Sequence, residues 1–338
     1  MITINEIAKL AGVSRSTVSR VLNDDPNVSD RTRDKVQAII DETEYQPNPV
    51  ARSLIGGRTR VLGLVIPMAF TSLFNDPFFS TLSQGISSTC TANNYTVMLW
   101  LIEPDYEKRA NNNILNNRLI DGIIVASNVI DDPLIEGLIE RKIPLIQIGR
   151  SMDANVSSVD ADNIHGAVTA VQHLVNIGRR QLATITGHMD RFSGRDRLTG
   201  FKRGLQENNL PIIEERIAYG DFTEKGGHDQ AKRLLSRTKF NGLFVASDLM
   251  SFGAVRAIRE AGLRVPEDIA VVSFDDIPAA ARFVPPLTTV RQPMHQMGAI
   301  AAQTLIDQLE SNDTGTPRRI ILPTELVLRE STLNSHVP

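Results

Sequence analysis

From Val61 onward, short apolar runs alternate with amphipathic stretches, and the alternation happens twice. The runs at 61–66, 96–99, 122–125 and 145–148 are dominated by Val, Ile and Leu. Strands buried on both faces of a parallel sheet read this way, because helices cover each face. Helices are predicted among them over 78–92, 105–116 and 133–141. A second series follows, with strands at 182–185, 217–219, 242–245 and 269–273 and helices over 164–177, 194–207, 225–235 and 249–261. Two such series imply two Rossmann-like lobes, each built on a parallel sheet. Ligands of these sheets sit beyond the carboxyl ends of the strands, here in the cleft between lobes.

The residues that fall at those strand ends suit a small polar molecule. Asp76, Phe78 and Phe79 follow the first strand. Arg191, Ser193 and Arg197 follow the strand at 182–185, and Phe222 follows the one at 217–219. Ser247 and Asp248 come after 242–245, and Asp275 and Asp276 after 269–273. Carboxylates and arginine pair with adjacent ring hydroxyls, and an aromatic face packs on the C–H groups of a sugar. Each has a plainer alternative: Phe79 and Phe222 suit a core, Arg197 a structural ion pair between lobes, and Asp276 a cap. Trp100 reads as core. The six histidines show no metal-ligand spacing, and no cofactor is called for.

Ahead of this body lies a compact helical pattern. Thr3-Ile4-Asn5-Glu6 is a capping box. Ile4, Ile7, Ala8, Leu10 and Ala11 recur at helical spacing, Gly12 stops the helix, and Ser14 caps a second one over 15–22. Val18, Val21 and Leu22 are expected inside. Arg15, Ser16, Ser19 and Arg20 are left outside, where a recognition helix meets base edges in a major groove. Arg20 is the best placed for a bidentate contact to guanine. Ser29 is expected to cap a third helix over 30–43 with Val36, Ile39 and Ile40 inward. Tyr45-Gln46-Pro47 ends this small all-α headpiece. A short helix over 50–55 follows, with Asn48 as N-cap, Pro49 at its first turn and Gly56 as its stop. Helices this short are marginal in water, so it is expected to form only against a partner, with Leu54 as a minor-groove wedge.

Ile4-Asn5-Glu6-Ile7-Ala8-Lys9-Leu10-Ala11-Gly12-Val13-Ser14, Thr17-Val18-Ser19-Arg20-Val21-Leu22-Asn23 and Tyr45-Gln46-Pro47-Asn48-Pro49-Val50-Ala51-Arg52-Ser53-Leu54 resemble the LacI/GalR family of bacterial transcriptional regulators. The likeness runs to about Arg329. It implies a helix-turn-helix headpiece (1–47), a hinge helix and linker (48–60), and a two-lobed body like a periplasmic sugar-binding protein (61–330). The chain would cross between lobes near 160–163, 290–293 and 322–324. That puts 61–160 with 293–321 in lobe 1 and 163–290 with 323–330 in lobe 2, leaving 331–338 as a tail. The helix 294–310 returns to lobe 1. It implies that Arg15, Ser16 and Arg20 read major-groove bases and that Ala51 and Leu54 lie in the minor groove; Thr17, Ser19, Asn23, Tyr45 and Arg52 complete the expected DNA-facing set. Many relatives carry a basic or polar residue where this chain has Ile55. The pocket set is Phe79, Asp162, Arg197, Phe222 and Asp275, with Arg191, Ser193 and Ser247 behind them.

The resemblance implies a homodimer on a pseudo-palindromic operator, with a small effector in the cleft. A sugar is the family's commonest case, and a purine or nucleoside the alternative. The dimer face would use the helices at 78–92 and 249–261. The polar tail is too short for a leucine-heptad tetramer. Charge is a weak guide: the chain totals −3, and residues 1–60 hold nine Lys/Arg against eight Asp/Glu. The cations that matter are placed ones. A single cysteine, Cys90, and the lack of a signal peptide or membrane-length run point to the cytoplasm. No phosphate loop, HExxH or GxSxG motif supports an enzyme, and adjacent Asp275-Asp276 cannot straddle a glycosidic bond.

Overall fold

A computed structural model describes residues 2–22, 25–43, 45, 58–67, 76–102, 107–117, 119–127, 129–311 and 316–333. The chain divides into two units, Met1–Arg60 and Val61–Pro338. The expected hinge helix at 50–55, with Ala51, Arg52 and Leu54, lies outside the described residues, as does Asn23.

The first unit holds α1 (Ile4–Ala11), α2 (Arg15–Leu22) and α3 (Asp30–Glu42). The capping box closes as its chemistry requires: Thr3 N donates to Glu6 Oε2 at 2.7 Å, and Glu6 N to Thr3 Oγ1 at 3.4 Å. Gly12 ends α1 at φ 63°, a left-handed value that glycine adopts without strain. Thr17 N donates to Ser14 Oγ at 3.1 Å, which caps α2. Ser29 departs from expectation. It sits at the N-cap of α3 but makes no side-chain cap bond, because its hydroxyl pairs with Thr32 Oγ1 at 2.9 Å. Ile7, Ala8, Ala11, Val18, Val21, Val36 and Ile40 form the core. Leu10 does not join it; at 58 % exposure it faces solvent.

The second unit runs β1 (Val61–Ile66), α4 (Pro77–Ala92), β2 (Thr96–Leu101), α5 (Glu107–Leu115), β3 (Gly122–Val125), α6 (Pro133–Glu140), β4 (Leu145–Ile148) and β5 (Ser157–Ala161). It continues with α7 (Asn163–Asn176), β6 (Leu182–Thr186), α8 (Phe192–Glu207), β7 (Ile217–Tyr219), α9 (Glu224–Arg237), β8 (Gly242–Val245) and α10 (Asp248–Glu260). Last come β9 (Ala270–Asp275), β10 (Thr288–Arg291), α11 (Met294–Ser311), β11 (Arg319–Leu322) and β12 (Glu325–Val327).

The strands make two sheets of matching topology. One has the order β11-β5-β4-β3-β1-β2 and is parallel throughout. The other has the order β12-β10-β9-β8-β6-β7, with only β12 antiparallel. In lobe 1, Leu82 and Ile86 of α4 and Ala301 and Leu305 of α11 pack on one sheet face, and Ile114, Leu134 and Leu138 on the other. In lobe 2, Ala231, Leu234, Ala254 and Ile258 cover one face, and Ala170, Leu174 and Phe201 the other. The order reverses between β1 and β3 and again between β6 and β8. Those reversals open crevices at the carboxyl ends of the strands.

The chain passes between sheets at Asp162, at Gln292-Pro293 and at Pro323-Thr324. Trp100, on β2, is partly buried against the lobe 1 core. Ser331 and Thr332 are not a free tail. Ser331 is fully buried, with Thr288 N donating to its Oγ at 2.8 Å and its Oγ donating to Val271 O at 2.6 Å.

Candidate functional site

The two lobes enclose a cleft of about 700 Å³, a size that suits a small organic ligand. Lobe 1 contributes Pro67, Phe78, Phe79, Ala126, Ile148 and Met297, with Asp76 and Asp160. Phe78 and Phe79 meet edge to face, ring centres 5.0 Å apart. Asp76 caps α4 by accepting from Phe78 N at 3.0 Å, which orients both rings. Burial raises the Asp76 carboxyl, and the bond from Phe78 N and the charges of Arg197 and Arg191 pull it back.

Lobe 2 supplies most of the polar groups, and they are bonded to one another. Arg197, on α8, is 4 % exposed. Its Nε donates to Asn163 Oδ1 at 2.9 Å, and its Nη1 to the Ala246 carbonyl and to Asp275 Oδ1 at 3.2 Å. Its guanidinium lies 3.8 Å from the centre of the Phe274 ring and 6.0 Å from that of Phe222. Gln292 Nε2 donates to Asp275 Oδ1 at 2.6 Å. Asn163 Nδ2 donates to Asp160 Oδ1 at 3.2 Å, which links the cluster to lobe 1. Burial dominates the titration of the acids. It pushes Asp275 up to about 8 against the pull of Arg197, and Asp160 up to about 6. It lowers Arg197 for the same reason, with Asp275 opposing. Both partners of the buried pair thus report one cost, that of holding charge away from water.

The backbone here is unusual as well. Phe222, Asp275 and Asp276 hold positive φ values of 63°, 116° and 58°. Such non-glycine outliers persist where surrounding bonds over-determine them. The Phe222 ring packs so closely over Gly187 that any side chain at 187 would run into it. Buried Asp248 fixes the turn after β9 by accepting from Ile277 N and Thr289 Oγ1, both at 2.8 Å. Burial lifts its carboxyl to about 6.

The expected pocket residues Phe79, Arg191, Ser193, Arg197, Phe222, Ser247 and Asp275 all line this one cleft. Asp162 does not. Its Oδ1 accepts from His165 N at 2.9 Å and caps α7, while its neighbours Asp160 and Asn163 face the cleft instead. Asp276 caps nothing: its two oxygens accept from Arg291 Nε and Arg329 Nη2, each at 2.7 Å. Arg197 is not an ion pair between lobes, since Asp275 belongs to its own lobe. Sequence reasoning passed over Asp160, His188, Asp221, Thr223, Glu224 and Gln292, which also line the cleft. Position after β7 was a usable signal for Asp221 to Glu224. Gln292 offered none, because a lone amide stands out in no pattern.

In the first unit, Arg15, Ser16 and Arg20 are exposed and Ser19 half-exposed on one helix. Arg20 is 63 % exposed, with Asp25 no closer than 3.7 Å. Ser16 and Thr17 are less available, because both hydroxyls engage Ser14 Oγ, at 2.7 and 2.8 Å. Tyr45 packs half-buried on the headpiece core rather than standing outside it. Among the described residues, no helix is long and apolar enough to cross a membrane, and no cluster of three or more His, Cys, Asp or Glu could hold a metal ion.

Residues 3–48 match the family described as bacterial regulatory proteins, lacI family, and residues 171–332 match the periplasmic binding protein-like domain. CelR, an HTH-type transcriptional regulator of Thermobifida fusca, is 37 % identical over 333 residues, covering 97 % of this chain and 98 % of its own. A solved CelR–cellobiose complex superposes with a TM-score of 0.78 at 36 % identity, over 98 % of this chain and 100 % of that one. PurR, an HTH-type transcriptional repressor of Aliivibrio fischeri, is 33 % identical over 99 % of both chains. The lac repressor dimer bound to operator and an anti-inducer superposes with a TM-score of 0.83 at 30 % identity, over 98 % of this chain and 99 % of that one. The chain belongs to the lacI family of bacterial regulatory proteins, a transcriptional regulator with a helix-turn-helix headpiece and a periplasmic-binding-protein-like body.

Proposed function

We propose that this regulator binds a pseudo-palindromic operator as a homodimer and that an uncharged sugar in the cleft changes its affinity for that operator. The observation that carries the reading is the Asn163–Arg197–Asp275–Gln292 cluster in one cleft with Phe79 and Phe222. Bidentate donors and carboxylates suit vicinal hydroxyls, and aromatic faces suit the C–H side of a sugar ring. Carboxylates outnumber arginines along the walls, which disfavours a phosphorylated ligand. The cellobiose complex of a CelR regulator makes cellobiose the first compound to test.

On the headpiece, Arg15, Ser16, Ser19 and Arg20 form the reading face, with Arg20 directed to a guanine. The operator-bound dimer of the lac repressor supports two-fold binding here, since a palindrome needs two headpieces. The protein acts in the cytoplasm, where its operator is, and returns its ligand unchanged.

A purine is the second reading. PurR is nearly as similar as CelR, and a phenylalanine from each lobe could sandwich a flat ring. Calorimetric titration with cellobiose, other neutral disaccharides, a sugar phosphate and purine bases separates the readings. The expected result is saturable binding of a neutral saccharide, recovered chemically intact. Binding of a purine base alone would replace the first reading with the second.

A further inference from the structure

Lobe 1 and lobe 2 are joined by more than the chain crossings. Arg150 follows β4 in lobe 1, and its Nη2 lies 2.6 Å from Asp196 Oδ2 on α8 of lobe 2. The Asp196 side chain is 9 % exposed and that of Arg150 46 %. The Arg150 guanidinium also sits 5.6 Å from the centre of the Phe192 ring, on the same helix turn as Asp196. A second joint is made by the backbone. Ile130 N donates to Asp190 O at 2.9 Å, and Val129 forms an antiparallel bridge with Arg191.

Both joints end on the segment that lines the cleft. Ser193 and Arg197 are four residues apart and share one face of α8, which they turn to the ligand space. Asp196 is one step round the helix, toward Arg150. Arg191 lines the cleft and carries the backbone bridge. A helix turn moves as a rigid piece, so a ligand held by Ser193 and Arg197 also sets where Asp196 stands. The Asp196 carboxylate has a stake in closure. Burial raises it, Arg150 is the largest opposing influence, and Asp162 adds like charge. Asp160 is also close enough to feel it. Withdrawing Arg150 leaves a buried acid among acids.

We propose that Arg150 and Asp196 are a positioning pair that holds lobe 1 closed over the ligand, so that breaking the pair weakens ligand binding without removing any group that touches the ligand. The apparent dissociation constant scales inversely with the closed fraction, and the coupling is reciprocal. The ligand half of this inference rests on the cleft reading above; the closure half does not.

The test reads the two halves separately on the full chain. Hydrogen exchange at the Ile130 amide reports the joint between lobes directly, with β8 amides as the reference for the fold itself. In Asp196→Asn and in Arg150→Gln, Ile130 should exchange about tenfold faster than in the parent while β8 is unchanged, and cellobiose should bind about tenfold more weakly. The double variant should lose no more than either single one, because the two residues act as one contact. Unaltered Ile130 exchange in both single variants, losses that multiply in the double variant, or equal acceleration in β8 would overturn the proposal. Failure of the parent to bind any neutral saccharide would sink the sugar reading, while Ile130 exchange would still decide the closure half.

Discussion

The two walls of the cleft are built differently. The lobe 2 wall is a polar cluster in which Arg197, Asn163, Asp275 and Gln292 satisfy one another. The lobe 1 wall is mainly apolar, with Phe78 and Phe79 aimed by the Asp76 cap. A network fixed by its own hydrogen bonds loses little entropy on binding and reads hydroxyl positions closely. An apolar wall reads shape and excludes water. On the proposed reading of the cleft, the difference assigns the walls different tasks: lobe 2 selects, and lobe 1 closes.

The largest effect should come from breaking the lobe 2 network. Arg197→Met should abolish ligand response, with affinity falling at least about a hundredfold, and should cost the body roughly 1–3 kcal/mol, because Asn163, the Ala246 carbonyl and Asp275 stay buried without the donor they accept from. Calorimetry and chemical denaturation check the two parts. The matching experiment on charge uses pH. Burial holds Asp275 at about 8 and Asp160 at about 6, both above their unfolded values. Raised acids contribute stability that is complete below an unfolded pKa near 4 and is lost as pH rises through the folded values. The melting temperature of the body should therefore decline from pH 5 to pH 8, and Asp275→Asn should flatten the upper part of that slope. An equally steep slope in the variant would move the titration elsewhere.

Lobe 1 should respond more mildly. Phe79→Leu keeps apolar volume but loses the flat face, and should weaken saccharide binding roughly two- to tenfold. A loss as large as that of Arg197→Met would erase the division between walls. The smallest effect belongs outside the cleft. Thr3→Ala removes half of the capping box and should cost the headpiece about 1 kcal/mol, seen in its own melting transition, with ligand affinity unchanged.

Much of this architecture was legible in the residues. β1, β3, β4, β7 and β8 form over the predicted residues, because buried parallel strands leave unbroken apolar runs. The missed strands are those whose partners, and not their composition, make them strands. β5 reads Ser-Ser-Val-Asp-Ala and β10 Thr-Thr-Val-Arg, and each is completed on one side by a strand from near the C-terminus, β11 and β12 respectively. The site divides in the same way. Arg197, on the helix after β6, and Asp275, at the end of β9, are brought together by topology. Asp160 lies within β5 and Asp162 just past its end, where its carboxylate turns to cap α7; where the strand stops decides which of the two faces the cleft. The tail residue Ser331 is polar, yet it fills hydrogen bonds inside lobe 2, which no composition argument could foresee.

Regulation by a ligand requires coupling between the cleft and the headpiece. Its most direct test selects a duplex from a random palindromic library and measures its affinity with and without saturating cellobiose, in the parent and in Arg197→Met. The predicted result is a shift of at least about tenfold in the parent, within the usual range of allosteric coupling, and none in the variant. An operator affinity indifferent to every neutral saccharide that fills the cleft, or a shift that survives the loss of Arg197, would contradict it.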